Sequence, residues 1–599
     1  MAKPKFAGEK ETKYFPVGEL RQSQLITTYS IGSIVDFVND TVMITGIDDW
    51  DKNIDSRQKI FNENLQSITK VKYFLSPMVS NDSNFKKSND VASVVFPKLL
   101  YCPKCKRLML ASDVLNKNSK KRNKCYLENE KTGSECGGTL VASRFVVVCE
   151  NGHIDDFPFS WWIHRESECV KHPHLQMFNI DDRSDFESLV VKCLDCGKVK
   201  SLANILSINA LSGEKGFPCR GYHPHLNRYD ESCNKNLRVR LRASSSVYYP
   251  VTINALQIPP WSKKAVKKIE QCYDTLKYMG TNYKQYLAEN VANSNITLVE
   301  LLSAYEIVHK RKESSTVLSE KDIFLYEYRV LSQGKMVEDD YSADLVEIPK
   351  SFHQIFEIIT LIDRLTVTEA LKGFTRLRPY SNESERLVPL SKSRKDWLPA
   401  IELRGEGIFI RFKKQAIDHW LSKVGSRYDK MKKNYVESFL AYREEKLSEV
   451  YILLHSFAHL FIRQIANECG YSSASIREKI YYNLDSENEM HGVLIYLTSS
   501  DCDGSLGGLI SIVQNTDRFE NLLRNMIQKA QWCSADPLCS EATEQGSYSL
   551  NYAACHDCML LPETSCELYN CLLDRISIVG TVENPDLGII NLLTVQGKI

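Results

Sequence analysis

The chain has 599 residues, of which 43% are hydrophobic and 25% charged, and its formal net charge is +1. Such a composition is typical of a folded protein with several domains, and it excludes a disordered or uniformly basic chain. No run of about 18 apolar residues occurs, so we expect no membrane span. Residues 1–14 are polar and rich in lysine, which does not suit a secretory signal, and we therefore expect a cytoplasmic protein.

Residues 1–98 predict a mixed α/β region. Residues 20–25 suit the start of a helix, and residues 33–38 and 41–44 suit two short strands. Asn39 and Asp40, which separate the strands, tolerate the positive φ that a two-residue turn needs. We therefore predict a β-hairpin over residues 33–44.

Residues 99–250 are rich in cysteine and poor in long periodic segments. Of the 19 cysteines in the chain, ten lie between Cys102 and Cys233 and six between Cys533 and Cys571. Several form C-x-x-C pairs, which grip one half of a tetrahedral metal site. Because a reducing cytosol disfavours stable disulfides, zinc is the favoured use of these thiols, and unrelated buried thiols are the alternative.

Three zinc sites are predicted in this region. The ligands of the first are Cys102, Cys105, Cys125 and Cys136. Those of the second are Cys193, Cys196, Cys219 and Cys233. Those of the third, a weaker set, are Cys149, His153, His164 and Cys169. The alternative for the two histidines is a hydrogen-bonded place in an aromatic core.

Residues 251–440 predict a helical and then mixed region. Apolar residues recur at three- and four-residue spacing over residues 265–276 and 296–308, which indicates two helices. Residues 355–365 predict a buried helix, and residues 407–412 predict a strand.

Residues 441–599 predict a C-terminal domain. It begins with a helix over residues 445–468 that ends at Gly470, followed by a strand over residues 492–498 and a helix over residues 518–530. The second cysteine cluster comes next. Its predicted zinc ligands, with Cys533 as a substitute, are Cys539, Cys555, Cys558 and Cys566. All the predicted sites have four protein ligands, so the expected three to four Zn²⁺ ions are structural.

Sequence signals for catalysis are weak. The chain has no G-x-x-x-x-G-K-[ST] motif, so we do not expect it to hydrolyse ATP by itself. His455 and His459 lie one helical turn apart, but Ser456 stands where a zinc protease would carry glutamate. Packing between helices is the favoured role of these histidines. A catalytic site formed with the loop at residues 501–508 is the alternative.

Signals for nucleic acid are local. Arg238, Arg240 and Arg242 recur at period two, which would place them on one side of a strand. Tyr248 and Tyr249 follow and could stack on bases. The alternative is an ordinary solvated face, since most charge runs have no other role.

Several sequence phrases, taken together, resemble the DrmB family. One is Cys-Glu-Asn-Gly-His-Ile-Asp-Asp-Phe-Pro at residues 149–158. The others are at residues 17–25, 397–409, 455–460, 504–508, 533–539, 554–558 and 573–575. The phrases span nearly the whole chain in order. Phe159 departs from the tryptophan expected after Asp-Phe-Pro.

The resemblance implies a component of DISARM, a bacterial anti-phage system. DrmB-like proteins partner a separate helicase, DrmA, and the pair engages foreign DNA. The C-terminal region resembles a cysteine-rich domain of unknown function that is also found on some DNA helicases. No motif of the family assigns residues that contact DNA.

These observations predict an α+β multidomain protein with zinc-ribbon or zinc-knuckle modules and a helical-to-mixed C-terminal half. The favoured hypothesis is a zinc-stabilised, non-catalytic partner of a DrmA-like helicase that helps to engage DNA. The alternatives are an enzyme of unrecognised type, a nuclease or hydrolase that uses the helix of His455 and His459, and a purely architectural scaffold.

Overall fold

The computed structural model describes fifteen segments of the chain. They are residues 17–50, 58–78, 91–117, 123–128, 133–165, 169–183, 185–213, 216–313, 319–380, 387–438, 440–441, 447–485, 487–499, 507–562 and 565–594. The predictions for residues 1–14, and for most of the loop at residues 501–508, fall outside these segments. Within them, every helix is too short or too polar to cross a bilayer.

The N-terminal 250 residues fold mainly as short strands. Residues 17–98 contain β1 (Ile34–Asp36), β2 (Thr41–Ile44), β3 (Lys59–Ile60), α1 (Glu63–Thr69), β4 (Tyr73–Leu75) and β5 (Ser93–Val95). The next segment contains β6 (Leu99–Tyr101), β7 (Leu108–Leu110), α2 (Ala111–Lys117), β8 (Val141–Ala142), β9 (Phe145–Val148), β10 (Ile154–Asp156), α3 (Phe159–His164), β11 (Leu175–Asn179), β12 (Leu189–Cys193), β13 (Val199–Ser201), β14 (Tyr222–His223), β15 (Arg228–Tyr229), β16 (Arg238–Leu241) and β17 (Tyr249–Leu256).

The rest of the chain alternates helices with longer strands. Its first part contains α4 (Lys264–Met279), α5 (Tyr283–Tyr286), α6 (Leu298–Glu313), α7 (Glu320–Leu331), β18 (Met336–Val337), β19 (Tyr341–Leu345), β20 (Phe356–Thr375), β21 (Trp397–Phe412), α8 (Lys414–Val424) and α9 (Asp429–Val436). Its second part contains α10 (Glu449–Cys469), β22 (Ile476–Asn483), β23 (Met490–Ser499), α11 (Gly508–Val513), α12 (Thr516–Ala530), α13 (Ile576–Val579) and α14 (Asn591–Thr594).

A nine-stranded sheet connects these segments. Its main path runs β18-β19-β20-β21-β23-β22, and the two longest strands, β20 and β21, pair antiparallel at its centre. Along one edge, β20 pairs with β19 and then with β17; along the other, β21 pairs with β23 and with β4. The sheet therefore takes strands from the N-terminal, middle and C-terminal segments, and the cysteine-rich segment contributes only the first two residues of β17. The boundaries of those segments, 1–98, 99–250, 251–440 and 441–599, remain predictions.

Helix α10 lies on one face of this sheet and forms the largest hydrophobic core. The Ser448 side chain caps its N-terminus by accepting a hydrogen bond from the Val450 amide, and Gly470 ends it with a positive φ of 71°. Every residue from Val450 to Ile462 is buried, so this part of the helix is enclosed on all sides. It packs against strand residues such as Ile408 and Ile495, and against the C-terminal loops.

The predicted α+β multidomain class is confirmed, with two local corrections. The predicted hairpin forms, since β1 and β2 pair antiparallel, but residues 22–29 form turns where a helix start was expected. Residues 355–365, predicted to be a buried helix, lie mostly in β20. This segment is rich in β-branched residues and both faces of the strand are covered, so the alternation of a half-exposed strand is missing.

Arg376 joins three segments immediately after β20. The side chain is buried, and its guanidinium donates to the carbonyl oxygens of Gly152 at 3.0 Å, Val247 at 2.5 Å and Gly32 at 2.9 Å. One charged side chain therefore satisfies backbone acceptors from three separate loops. The planar guanidinium, with its five donors, is the side chain suited to this task.

We predict that Arg376→Ala destabilises the protein strongly, because it leaves three buried carbonyl oxygens without a donor. The expected loss in free energy of unfolding is about 3–5 kcal/mol. Arg378→Ala is the matched control: Arg378 is exposed and pairs with Glu150 at 3.2 Å, so its loss should cost less than about 1 kcal/mol. Urea denaturation measures both variants. Equal midpoints for the two would contradict this role of Arg376.

Glu270 is a buried acid on α4. Burial, with a smaller contribution from the charge of Glu63, raises the pKa of Glu270 to about 8 from its usual 4.5. The folded protein therefore holds this proton more tightly than the unfolded chain does. Stability should fall as pH rises from about 4.5 to about 8, because the folded state must then bury a carboxylate.

We predict that Glu270→Gln unfolds at a higher temperature than the parent protein at about pH 9, and at a similar temperature at about pH 5. The neutral amide removes the cost of ionising a buried acid but keeps the side-chain shape. Glu306→Gln, at an exposed position on α6, is the control and should leave the unfolding temperature unchanged at both pH values. Thermal unfolding at the two pH values measures the effect, and a pH-independent difference would contradict it.

Candidate metal centres

The first predicted quartet comes together in a zinc-knuckle arrangement after β6. The sulfur atoms of Cys102, Cys105, Cys125 and Cys136 all lie within 4.8 Å of one another. Two of the Sγ–Sγ distances, Cys102–Cys136 and Cys105–Cys125, are 3.7 Å, close to the edge of about 3.8 Å that tetrahedral Zn–S bonds give. Gly138 is required here, because a Cβ would lie 2.7 Å from the Cys102 sulfur.

The second and third predicted quartets are assembled differently. The same eight residues form two groups, but each group takes one half of each predicted set. One group is Cys149, His153, Cys219 and Cys233. The other is His164, Cys169, Cys193 and Cys196. The predicted partition of these eight residues is therefore corrected.

Tertiary packing explains the exchange. Cys149 and His153 flank the turn between β9 and β10, and Cys149 Sγ lies 3.7 Å from Cys219 Sγ and 3.9 Å from Cys233 Sγ. Helix α3, which carries His164, packs on β12 and β13 instead. It brings His164 Nε2 to 3.3 Å from Cys196 Sγ. Proximity in sequence had suggested pairing His153 with His164.

Each histidine is oriented by its second ring nitrogen. His153 directs Nδ1 at Cys149 Sγ, 3.3 Å away, while its Nε2 lies 3.0 Å from an Asp230 carboxylate oxygen. His164 Nδ1 lies 2.8 Å from the carbonyl oxygen of Ser160, which leaves Nε2 for the cysteines. Such a partner fixes the tautomer and is typical of histidines that bind metal.

The C-terminal quartet is Cys533, Cys539, Cys555 and Cys558. Cys533, predicted only as a substitute, takes the place predicted for Cys566. Its Sγ lies 3.4 Å from Cys555 Sγ, and Cys539 Sγ lies 3.7 Å from Cys558 Sγ. Arg575 holds this loop by donating to Asp536 at 2.8 Å.

Cys566 lies against His455 and His459 on α10, with Glu478 of β22 as the fourth member of the group. Both imidazoles are fully buried. This burial does not favour access of a substrate, as the enzyme alternative would require. Sequence reasoning missed Glu478; the i,i+4 pair of histidines was the signal for this group, but nothing in the sequence pointed to a carboxylate from another element.

Arg238 and Arg240 lie on β16 on either side of Val239, which packs in the core, and Arg242 follows the last residue of the strand. Arg242 donates to Asp36 through two nitrogens at 3.1–3.2 Å, and one Arg238 nitrogen lies 3.9 Å from a Glu150 oxygen. Arg240 donates to the carbonyl oxygen of Val239. A role in binding DNA stays a prediction for all three.

Comparisons with known proteins agree with this picture. The model of the MrfA Zn-binding domain matches residues 457–559, which include the C-terminal quartet, and a domain of unknown function, DUF8724, matches residues 21–249. The DISARM protein DrmB of Bacillus paralicheniformis is 31% identical over 575 residues, covering 92% of this chain and 98% of that protein.

Among solved structures, the crystal structure of the DUF1998 helicase MrfA bound to DNA aligns with 36% of this chain and 23% of that one. The sequence identity is 13% and the TM-score is 0.18, values too low to bear on the fold.

Fold and site together define a multidomain α+β protein with a zinc-binding C-terminal domain and further cysteine clusters compatible with zinc. At 31% identity over almost its whole length to a curated member, the chain belongs to the DrmB family of DISARM proteins.

Double substitutions test how the eight ligands of the second and third quartets (Cys149, His153, His164, Cys169, Cys193, Cys196, Cys219 and Cys233) are divided between two metal sites. Cys149→Ala with Cys219→Ala affects one group and should remove one Zn²⁺ per chain, whereas Cys193→Ala with Cys219→Ala affects both groups and should remove two. The two quartets predicted from the sequence would give the opposite result, with two ions lost from the first variant and one from the second. Zinc counted by mass spectrometry on folded, gel-filtered protein decides between them, and each variant serves as the control for the other.

Proposed function

We propose that this chain is a zinc-stabilised, non-catalytic accessory subunit that binds a DrmA-like helicase and helps it to engage phage DNA in DISARM defence. The observation that carries the proposal is the 31% identity to a DISARM DrmB protein over 92% of the chain. The helicase partner is what the family resemblance implies. The absence of a P-loop motif from the sequence supports a subunit whose motor is a separate chain.

The metal chemistry also supports an accessory role. Each quartet offers four protein ligands, so a bound Zn²⁺ has no coordination position left for water or substrate. An ion of this kind contributes folding free energy to a loop-rich segment and performs no hydrolysis. We therefore assign the four quartets, two of four cysteines and two of three cysteines with one histidine, to shaping the surface that meets the partner and the DNA.

We place the helicase contact at the C-terminal cysteine loop. Trp532 is 68% exposed and Leu538 is 83% exposed, and each is adjacent in sequence to a cysteine of the quartet. Tryptophan is enriched at protein interfaces, and a side chain held on a metal-bound loop loses little conformational entropy on docking. These two residues are therefore a pre-organised apolar contact for a partner protein.

We predict that the chain co-purifies with the helicase encoded beside it, and that Leu538→Arg weakens this complex by about tenfold or more. Val582→Arg is the matched control, because Val582 is 100% exposed and lies outside the cysteine loop. The complex should shift DNA at lower protein concentration than the helicase alone, with an affinity that falls as salt rises.

Three results would contradict the proposal. The first is ATP hydrolysis or DNA cleavage by the isolated chain. The second is the absence of a complex with the neighbouring helicase. The third is a complex that binds DNA no more tightly than the helicase alone. If the complex forms but Leu538→Arg has no effect, only the position of the contact is wrong.

A further inference from the structure

We propose that His455, His459, Glu478 and Cys566 form a fifth structural zinc site, in the core between α10 and the central sheet. This site is separate from the four quartets described above and has a different ligand set: two imidazoles, one carboxylate and one thiolate. All four side chains are buried.

The distances between the ligand atoms suit a tetrahedral ion. His455 Nε2 lies 3.0 Å from Glu478 Oε1 and 3.2 Å from Cys566 Sγ, and His459 Nε2 lies 3.7 Å from Glu478 Oε2. The four ligand atoms all fall within 4.8 Å of one another. Bonds of 2.0–2.3 Å to Zn²⁺ separate tetrahedral ligands by about 3.3–3.8 Å, so the ion needs only small side-chain shifts.

The hydrogen bonds around the group leave its lone pairs facing inward. His459 Nδ1 lies 3.0 Å from the carbonyl oxygen of Met559, and His455 Nδ1 lies 3.4 Å from that of Leu572. Nδ1 can only donate to a carbonyl oxygen, so a neutral ring presents the lone pair of Nε2 to the centre. Cys566 Sγ accepts hydrogen bonds from the amides of Leu568 and Asn570, as zinc-bound thiolates commonly do.

Two side-chain atoms of this group, His459 Nε2 and Glu478 Oε2, are buried without a hydrogen-bond partner among the described residues. An unsatisfied buried imidazole nitrogen and an unsatisfied buried carboxylate oxygen each cost free energy. The two atoms lie 3.7 Å apart. One cation placed between them satisfies both.

Charge balance favours a divalent ion. Zn²⁺ bound by one carboxylate, one thiolate and two neutral imidazoles has no net charge, as a site without solvent requires. Binding releases the Cys566 proton to solvent. Four protein ligands leave no position for water, so the ion holds α10, β22 and the loop of Cys566 together.

Crystals of the full-length protein incubated with Zn²⁺, measured at the zinc absorption edge, test the proposal directly. We expect a fifth anomalous peak, bonded to His455, His459, Glu478 and Cys566. Four peaks at the other four quartets with none at this group, after incubation with excess Zn²⁺, would overturn the proposal and leave a metal-free hydrogen-bonded cluster.

Metal counting supplies a second readout with a matched control. Cys566→Ser should lower the zinc content of the folded chain by one ion, because a serine hydroxyl binds zinc weakly. Cys571→Ser changes another buried thiol five residues away, outside this group, and should lower it by none. Equal zinc content in the two folded variants would also overturn the proposal. If Cys566→Ser does not fold, the anomalous map of the parent protein remains decisive.

Discussion

The antiparallel pairing of β20 with β21 is the constraint on which the rest of the structure depends. These strands are 20 and 16 residues long, far longer than their neighbours, and each pairs with two different partners along its outer edge. The N-terminal segment adds β4 to this pair, the end of the cysteine-rich segment continues into β17, and the C-terminal domain adds β23. Arg376, immediately beyond β20, adds hydrogen bonds to loops from the first two of these segments.

Three of the candidate metal centres lie in the cysteine-rich segment, outside the largest hydrophobic core. The cysteine-rich segment has strands of two to five residues over most of its length, which bury too little apolar surface to fix their own arrangement. Four-ligand clusters of thiolate and imidazole can supply the missing folding free energy. The group on α10 differs from them, because it lies inside the largest hydrophobic core, where a buried carboxylate needs a cation.

Family membership and site chemistry agree on the kind of protein this is. A DrmB-family chain with closed metal clusters is suited to hold a shape and to present surfaces. The exposed apolar side chains beside the C-terminal quartet, and the arginines on and just after β16, are two different parts of that surface. Arg238 and Arg242 already contact acidic side chains of this chain, so a role at DNA would require them to exchange those partners.

The sequence alone determined the α+β class, the hairpin, the helices with clear periodicity and caps, and which short motifs bring two cysteines together. These features depend on residues close in the chain. Three features depended on tertiary structure. They are the division of the eight ligands of the second and third quartets between two sites, the place of Cys533 in the C-terminal quartet instead of Cys566, and the position of Glu478 beside two histidines. A C-x-x-C or H-x-x-x-H motif supplies only half of a tetrahedral site. The other half is brought by whichever helix or strand packs there, and sequence spacing carries no information about that packing.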